Sequence, residues 1–388
     1  MSTSLEAADS DTMDMSLLFQ PLEVGDVTIP NRIGMSAMSR NRADPKRMPS
    51  HLMKKYYLQR ALGGAGLIIS EATLISPHGA QFDRCPGIWN SEQVAAWKKI
   101  TNVVHLAGSK MYCQLWHLGR LSHPDPNGMV YSPSAIQASG EKYCFHYLLG
   151  ELDFVVPSAI EDPFVLVKQF KDAAVNAKAA GFDGVEIHGA AGFLVHQFLD
   201  TSANIRTDEW GGSPEKRTRF ALEVLKACKE VFGINVSLKI SPAGGFNDSG
   251  MPLQETLDTY RHLVAEVDKL GLSYISLYRH NAHKDPIVDG KRRGTPHDLV
   301  ASYGPYIKQS KIFVVGGVTP MEAAELIRTE QVAGVFFGMP WLSHPDLAKR
   351  IKHGKNLDNL VAMPFLYGDT QAGVDPRVGY TDYPSVTY

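Results

Sequence analysis

Cysteine is scarce. Four residues, Cys85, Cys113, Cys144 and Cys228, are spread over 388 positions. None stands in the close pairs that zinc ribbons or redox motifs use, so the chain reads as a protein of a reducing compartment with no zinc site. Charge of one sign is lacking too. A formal net charge of −2 gives no basic stripe for nucleic acid and no attraction to an anionic membrane. No apolar run approaches the ~18–20 residues needed to span a bilayer. The N-terminus lacks the basic start and apolar middle of a secretory signal. Glu6, Asp9, Asp11 and Asp14 argue against a mitochondrial one. Residues 1–16 therefore read as a disordered acidic tail, and the terminal Ser385-Val386-Thr387-Tyr388 is not a peroxisomal address. The expectation is a cytoplasmic protein that acts on a small molecule, its oligomeric state open.

Hydrophobic residues make up 44% of the chain, ample for a large core. Length alone would allow two or three domains, but α/β barrels run long as single domains. Leu18 to Pro30, with Gly25-Asp26 between short apolar runs, predicts a β-hairpin. Apolar strands and helical stretches then alternate, the rhythm of a parallel sheet. The strands are expected at Arg32 to Met38, Leu67 to Ala72, Met111 to Trp116, Val185 to His188, Val236 to Ile240, Tyr274 to Leu277, Ile312 to Gly317 and Gly334 to Gly338. Glu92 to Leu106 and Phe164 to Ala179 have helical spacing, and Thr319-Pro320 starts another helix with a cap and a proline at its first position. Eight such units predict one α/β domain over 17–388, a (β/α)8 TIM barrel capped below by the N-terminal hairpin. Residues 117–160 are too long for a tight turn. They predict an excursion over the site, with room for a hairpin of its own, acting as a lid.

The central stretch is Gly181 to Leu194. A strand ends in His188, and Gly189-Ala190-Ala191-Gly192-Phe193-Leu194 follows. A polar residue at the carboxyl end of a barrel strand faces the active site. The stretch resembles the Old Yellow Enzyme family of FMN-dependent ene-reductases, whose pattern here is His-Gly-Ala-Asn-Gly-Tyr-Leu. Asn31-Arg32, Tyr56 to Ala61, Pro86 to Trp89, Gln114 to Arg120, Asn204 to Ser213 and Gly379 to Pro384 match the same family in order. The resemblance runs from Leu17 to Pro384, and the chain is similar to a fungal ergot-alkaloid and secondary-metabolism branch. It implies FMN across the top of the barrel, with NADPH where the reaction is reductive. Ala37, Met38, Ser39, Ala72 and Gln114 would line the flavin, and Gly316, Gly317 and Gly338 would take its phosphate. Trp116, His188, His196 and Tyr367 would meet the substrate. His280 and His283 stand three apart in the stretch Tyr278 to His283, but no third ligand is near in sequence, and a metal site is not expected; the stretch reads either as a substrate-facing loop or as plain surface.

Four departures from the family pattern carry the functional argument. Lys239 replaces an Arg at the flavin, keeping the charge but losing the planar fork. Met339 replaces an Arg on the phosphate, which implies weaker FMN binding or its loss. Ala191 replaces the Asn or His that helps His188 hold the substrate carbonyl. Phe193 replaces the Tyr that delivers a proton, and in the ergot-alkaloid branch Phe here goes with double-bond isomerisation. Three readings follow. One is a redox-neutral isomerase or cyclase of a bulky unsaturated carbonyl compound. The second is an NADPH-dependent ene-reductase in which solvent, Tyr367 or His196 supplies what is missing. The third is a barrel that binds without catalysis.

Overall fold

The computed structural model describes residues 14–80, 84–124, 129–139, 154–287, 290–368 and 373–388. Eight parallel strands close on themselves. They are β1 (Ile33–Met35), β2 (Leu67–Ile69), β3 (Lys110–Trp116), β4 (Gly184–Gly189), β5 (Val236–Ile240), β6 (Tyr274–Tyr278), β7 (Lys311–Val315) and β8 (Gly334–Phe337). Each pairs with the next, and β8 pairs with β1. The expected (β/α)8 barrel is therefore present. Several strands are shorter than expected at their carboxyl ends, because the residues there leave the ladder to form the rim.

The strand period of two separates two populations. Val185 and Ile187 face the surrounding helices and are fully buried among them. Their neighbours Glu186 and His188 point inward. The lower lumen is filled by aromatic rings, with Tyr274 5.0 Å from Phe313 and 5.5 Å from Phe336 between ring centres. Gly34 makes room for this layer, since a Cβ there would lie 2.3 Å from the Phe336 ring. The hairpin of Leu22–Val24 and Val27–Ile29 closes the bottom. Val24 and Ile29 join the lumen cluster, and the Asp26 N–H donates to Asn235 just before β5 at 3.0 Å.

Helices form where caps and apolar spacing coincide. Ser50 caps His51–Leu62, Asn90 caps Ser91–Leu106 and Thr319 caps Pro320–Arg328, each accepting a backbone N–H three residues on. No helix among the described residues is long and apolar enough to cross a membrane.

Two expectations change. Residues 1–13 of the acidic tail lie outside the described residues, but Met15–Phe19 is a short 3-10 helix capped by Asp14. Order therefore begins before Leu17, because Leu18 is buried in the core. In the excursion, Tyr131–Ser132 pairs with Ser158–Ala159 in parallel. A parallel pair cannot be a hairpin, so the described part of the excursion contains none. The rest of it, 125–128 and 140–153, lies outside the described residues. Arg206 ties the middle of the excursion to its end by donating to Pro133 O at 3.0 Å and Ile160 O at 2.7 Å. The Asn204 to Ser213 motif thus has a structural task.

Candidate active site

A cavity of about 950 Å³ opens at the carboxyl ends of the strands, the face where barrels of this kind carry their sites. It is near the top of the range for ligand pockets. Every strand contributes to its wall through its last residues or the loop that follows. Of the residues singled out in the sequence, Ala37, Met38, Ser39, Ala72, Gln114, Trp116, His188, Ala191, Phe193, Lys239, Gly316, Gly317, Gly338, Met339 and Tyr367 all line it.

His196 does not. It is 1% exposed, on the short helix Leu194–Leu199. Its Nδ1 accepts the Gly192 N–H at 3.2 Å and its Nε2 lies 3.5 Å from Asp200 Oδ2. The imidazole is committed to holding the loop behind the cavity, so the expectation that it meets substrate is corrected. In a helical turn straight after the loop, it points back into the protein rather than over the barrel mouth.

His188 sits at depth but opens onto the cavity. Its ring lies parallel to Trp116 at 6.3 Å and edge-on to Phe193 at 5.0 Å. Burial, then the Lys239 cation and His196, hold its pKa well below the usual imidazole value. The side chain is therefore neutral. Its Nδ1 accepts the Ala190 N–H at 3.3 Å, which leaves the proton on Nε2. The result is a fixed, uncharged donor facing the cavity.

Phe193 fills the adjoining corner. Its ring is edge-on to both Trp116 (4.9 Å, 87°) and His188 (82°), and it carries no exchangeable proton. Ala191 has φ +56°, a left-handed conformation that asparagine tolerates and alanine resists. Its N–H donates to Ser241 Oγ and its carbonyl accepts Asn247 Nδ2, both at 2.8 Å. These bonds hold the strained residue in place. Ala191→Gly should relieve most of the strain, a gain of about 1 kcal/mol after the entropy of the added glycine. Thermal unfolding would read this as a higher midpoint, and an unchanged or lower one would show that Ala191 is unstrained.

The polarity of the wall is one-sided. Lys239 and Lys284 line it, together with His280 and His283, and no carboxylate does among the described residues. Lys239 Nζ reaches Ser36 Oγ at 3.2 Å and lies 5.2 Å from the Tyr278 ring centre. Lys284 lies over Phe246 at 5.0 Å. Beside them, Gly316 and Gly317 both have positive φ and present bare backbone on the wall. A Cβ on Gly316 would press on Tyr278 at 3.2 Å, while one on Gly317 would meet nothing within 4 Å. A large, floor-backed cavity with a buried ammonium, an amide at Gln114 and an open glycine pair suits a flat heteroaromatic ligand that carries an anionic group.

The stretch Tyr278 to His283 lines the wall, on the substrate-facing side of the two readings it allowed. Sequence reading missed Ser36, Phe246, Asn247 and Lys284 on the wall, and Glu186 beneath it. Alternation would have found Glu186, which shares its inward face with His188. Behind the Met38-Ser39 segment, Glu71 Oε2 accepts the backbone N–H groups of Arg40 and Asn41 at 3.1 and 3.2 Å. Arg40 in turn donates to Gly379 O at 2.7 Å, and Tyr56 stacks on Tyr380 at 4.3 Å. Motifs at opposite ends of the chain thus brace one side of the rim.

Comparison with known proteins agrees with this geometry. The model of the NADH:flavin oxidoreductase / NADH oxidase family matches residues 17–358. The chain is 36% identical over 377 residues to chanoclavine-I aldehyde reductase of Penicillium roqueforti, covering 95% of this chain and 96% of that one. It is 34% identical over 388 residues to a probable inactive reductase of Epichloe festucae var. lolii, covering 96% of each. Its fold is similar to that of morphinone reductase, with a TM-score of 0.84 and 34% identity over 95% of this chain and 96% of that one. Barrel, cavity and motifs together show that the chain belongs to the NADH:flavin oxidoreductase family of Old Yellow Enzymes, with FMN as its cofactor and a reduced nicotinamide in the reductive members.

Proposed function

We propose that the protein transforms a bulky α,β-unsaturated carbonyl compound of fungal secondary metabolism without net reduction, by double-bond isomerisation or as a step toward cyclisation. The observation that carries this reading is the Phe193 ring standing beside His188 where an acid would be needed. The relative that acts on an aldehyde in Penicillium supports the substrate class. When bound, FMN supplies hydride chemistry.

His188 Nε2–H donates to the substrate oxygen and stabilises negative charge that develops there. Ala191 adds no second donor. Phe193 and Trp116 pack against the unsaturated carbons and exclude water. An enolate held in this corner would receive no proton on its α-carbon from position 193. The hydride gained at carbon would have to go back to the bound cofactor, re-forming the double bond after rotation, so that no net reduction results. The test is to supply an unsaturated aldehyde with NADPH and follow product mass and NADPH absorbance together. The expected product is an isomer, with no more than a priming amount of NADPH consumed. No turnover of any kind would favour a binding role.

A second reading, NADPH-dependent alkene reduction, is supported by other exchangeable protons on the same wall. Tyr278, Tyr367 and Lys284 all line the cavity, and the Penicillium relative is a reductase by name. Stoichiometric NADPH consumption in the same assay would establish it.

Lys239, Gln114, Ser39 and the bare amides of Gly316 and Gly317, all on the cavity wall, would hold FMN. Met339 follows Gly338 at the rim and is 46% exposed. It offers the phosphate no charge. A charge-assisted hydrogen bond contributes about 1.5–3 kcal/mol, and solvent at this exposure holds the gain near the lower end. Met339→Arg should therefore tighten FMN about tenfold, read by fluorescence titration of the apoprotein. Equal affinity in the two proteins would mean that the phosphate lies away from position 339.

A further inference from the structure

Gln114 on β3 and Glu186 on β4 are direct register partners, and Lys239 on β5 is the partner of His188. All four side chains share the inward face. Gln114 and Glu186 are each 1% exposed. Gln114 and Lys239 line the cavity, whereas Glu186 lies beneath it. Gln114 Nε2 donates to Glu186 Oε1 at 2.7 Å, and the Tyr274 hydroxyl donates to Glu186 Oε2 at 2.8 Å.

A glutamine amide is ambivalent. It can present either its oxygen or its NH2 to a ligand. The Glu186 carboxyl below it is not ambivalent here, because both of its oxygens accept, Oε1 from Gln114 and Oε2 from the Tyr274 hydroxyl. Once Nε2 is committed to Glu186, the oxygen is the end left for the cavity. The charges are coupled in the same way. Burial pushes the Glu186 carboxyl up and the Lys239 ammonium down, and each partner's charge pulls the other back toward its ionised form. Removing either would leave a buried, uncompensated charge.

We propose that Glu186 is a positioning residue for the cofactor's pyrimidine edge: it locks Gln114 with Oε1 toward the cavity as an acceptor and balances the Lys239 ammonium, so that the ring meets one acceptor and one cationic donor. The flavin edge matches this pair. It carries one N–H, at N3, flanked by carbonyl oxygens that accept. Glu186 itself touches no ligand and acts through its two neighbours. The proposal rests on FMN as cofactor and is independent of whether the reaction is reductive.

The probes are FMN and N3-methyl FMN, titrated into the apoprotein by fluorescence. Wild-type protein should prefer FMN by about tenfold, the value of one buried hydrogen bond to an acceptor that a methyl group would displace. In Glu186→Gln the new amide can donate to Gln114 Oε1 and turn the Gln114 amide over, and the preference should vanish. Glu186→Asp keeps the charge but falls one methylene short of Gln114, and it should lose the preference too. Tyr274→Phe breaks the other bond to Glu186 and should keep it, which separates this role from general damage to the lumen. A Glu186→Gln protein with the wild-type preference would overturn the proposal. So would a wild-type protein that binds both flavins equally, a result that needs no variant. Wild-type protein that holds neither flavin would overturn it together with the assignment of the cofactor.

Discussion

Phe193→Tyr combined with Ala191→Asn should turn the protein into a net reductase. The tyrosyl ring has a place prepared, because Phe193 already stands edge-on between Trp116 at 4.9 Å and His188 at 5.0 Å. A phenol there would supply the proton that position 193 withholds. General acid catalysis of this kind contributes about a hundredfold to ten-thousandfold. Asparagine suits the second site on backbone grounds as well, since Ala191 sits at φ +56°, where asparagine is one of the few side chains at ease. Its amide would add a second donor to the substrate oxygen. The expected outcome is a product heavier by two hydrogens, formed with stoichiometric NADPH. If the unmutated chain already makes that product as fast as the double variant, the redox-neutral reading is wrong and the reductase reading replaces it.

His188→Ala should lower turnover by about a hundredfold to a thousandfold, the usual cost of deleting a donor aimed at developing oxyanion charge. The loss should fall mainly on kcat, because the cavity walls that bind the rest of the substrate are untouched. The pH profile gives an independent reading. Burial and the Lys239 cation favour the neutral imidazole and hold its pKa well below the ordinary value. A depressed pKa keeps the neutral form present as pH falls, so kcat/KM should show no acid limb near the usual ~6.5 of histidine. A limb at that pH, present in the wild type and absent from His188→Ala, would mean that His188 titrates as an exposed imidazole and that the neutral-donor account is wrong. An alanine variant of near-normal rate would remove His188 from the mechanism.

The errors in reading the chain share a cause. His196 was expected to meet the substrate as a donor in place of the missing side chains. A helical turn rotates it away from the barrel mouth and onto Gly192 N–H. The excursion looked able to hold a hairpin because it is long, yet its two described strands pair in parallel. Asn247 reaches the cavity from a loop, and Lys284 and Met363 from single 3-10 turns, so no periodicity marks any of them. Glu186 was legible in part. It lies two residues before His188 on the same inward face, but its partners Gln114 and Tyr274 are 72 and 88 residues away in sequence.

The amino-acid sequence by itself determined the barrel, the family and the chemistry on offer. Alternating strands and helices need only local periodicity to be read. A tyrosine replaced by Phe193 lacks its hydroxyl whatever the fold does with it. The tertiary structure decided how those groups are used. Closure of β8 onto β1 gathers the ends of eight strands around one cavity. Burial then makes His188 neutral, and the Ala190 N–H selects which nitrogen carries its proton. The register of β3 against β4 puts Glu186 under Gln114. Tautomer, charge state and amide orientation depend on desolvation and on partners distant in the chain, and those come into being only when the barrel closes.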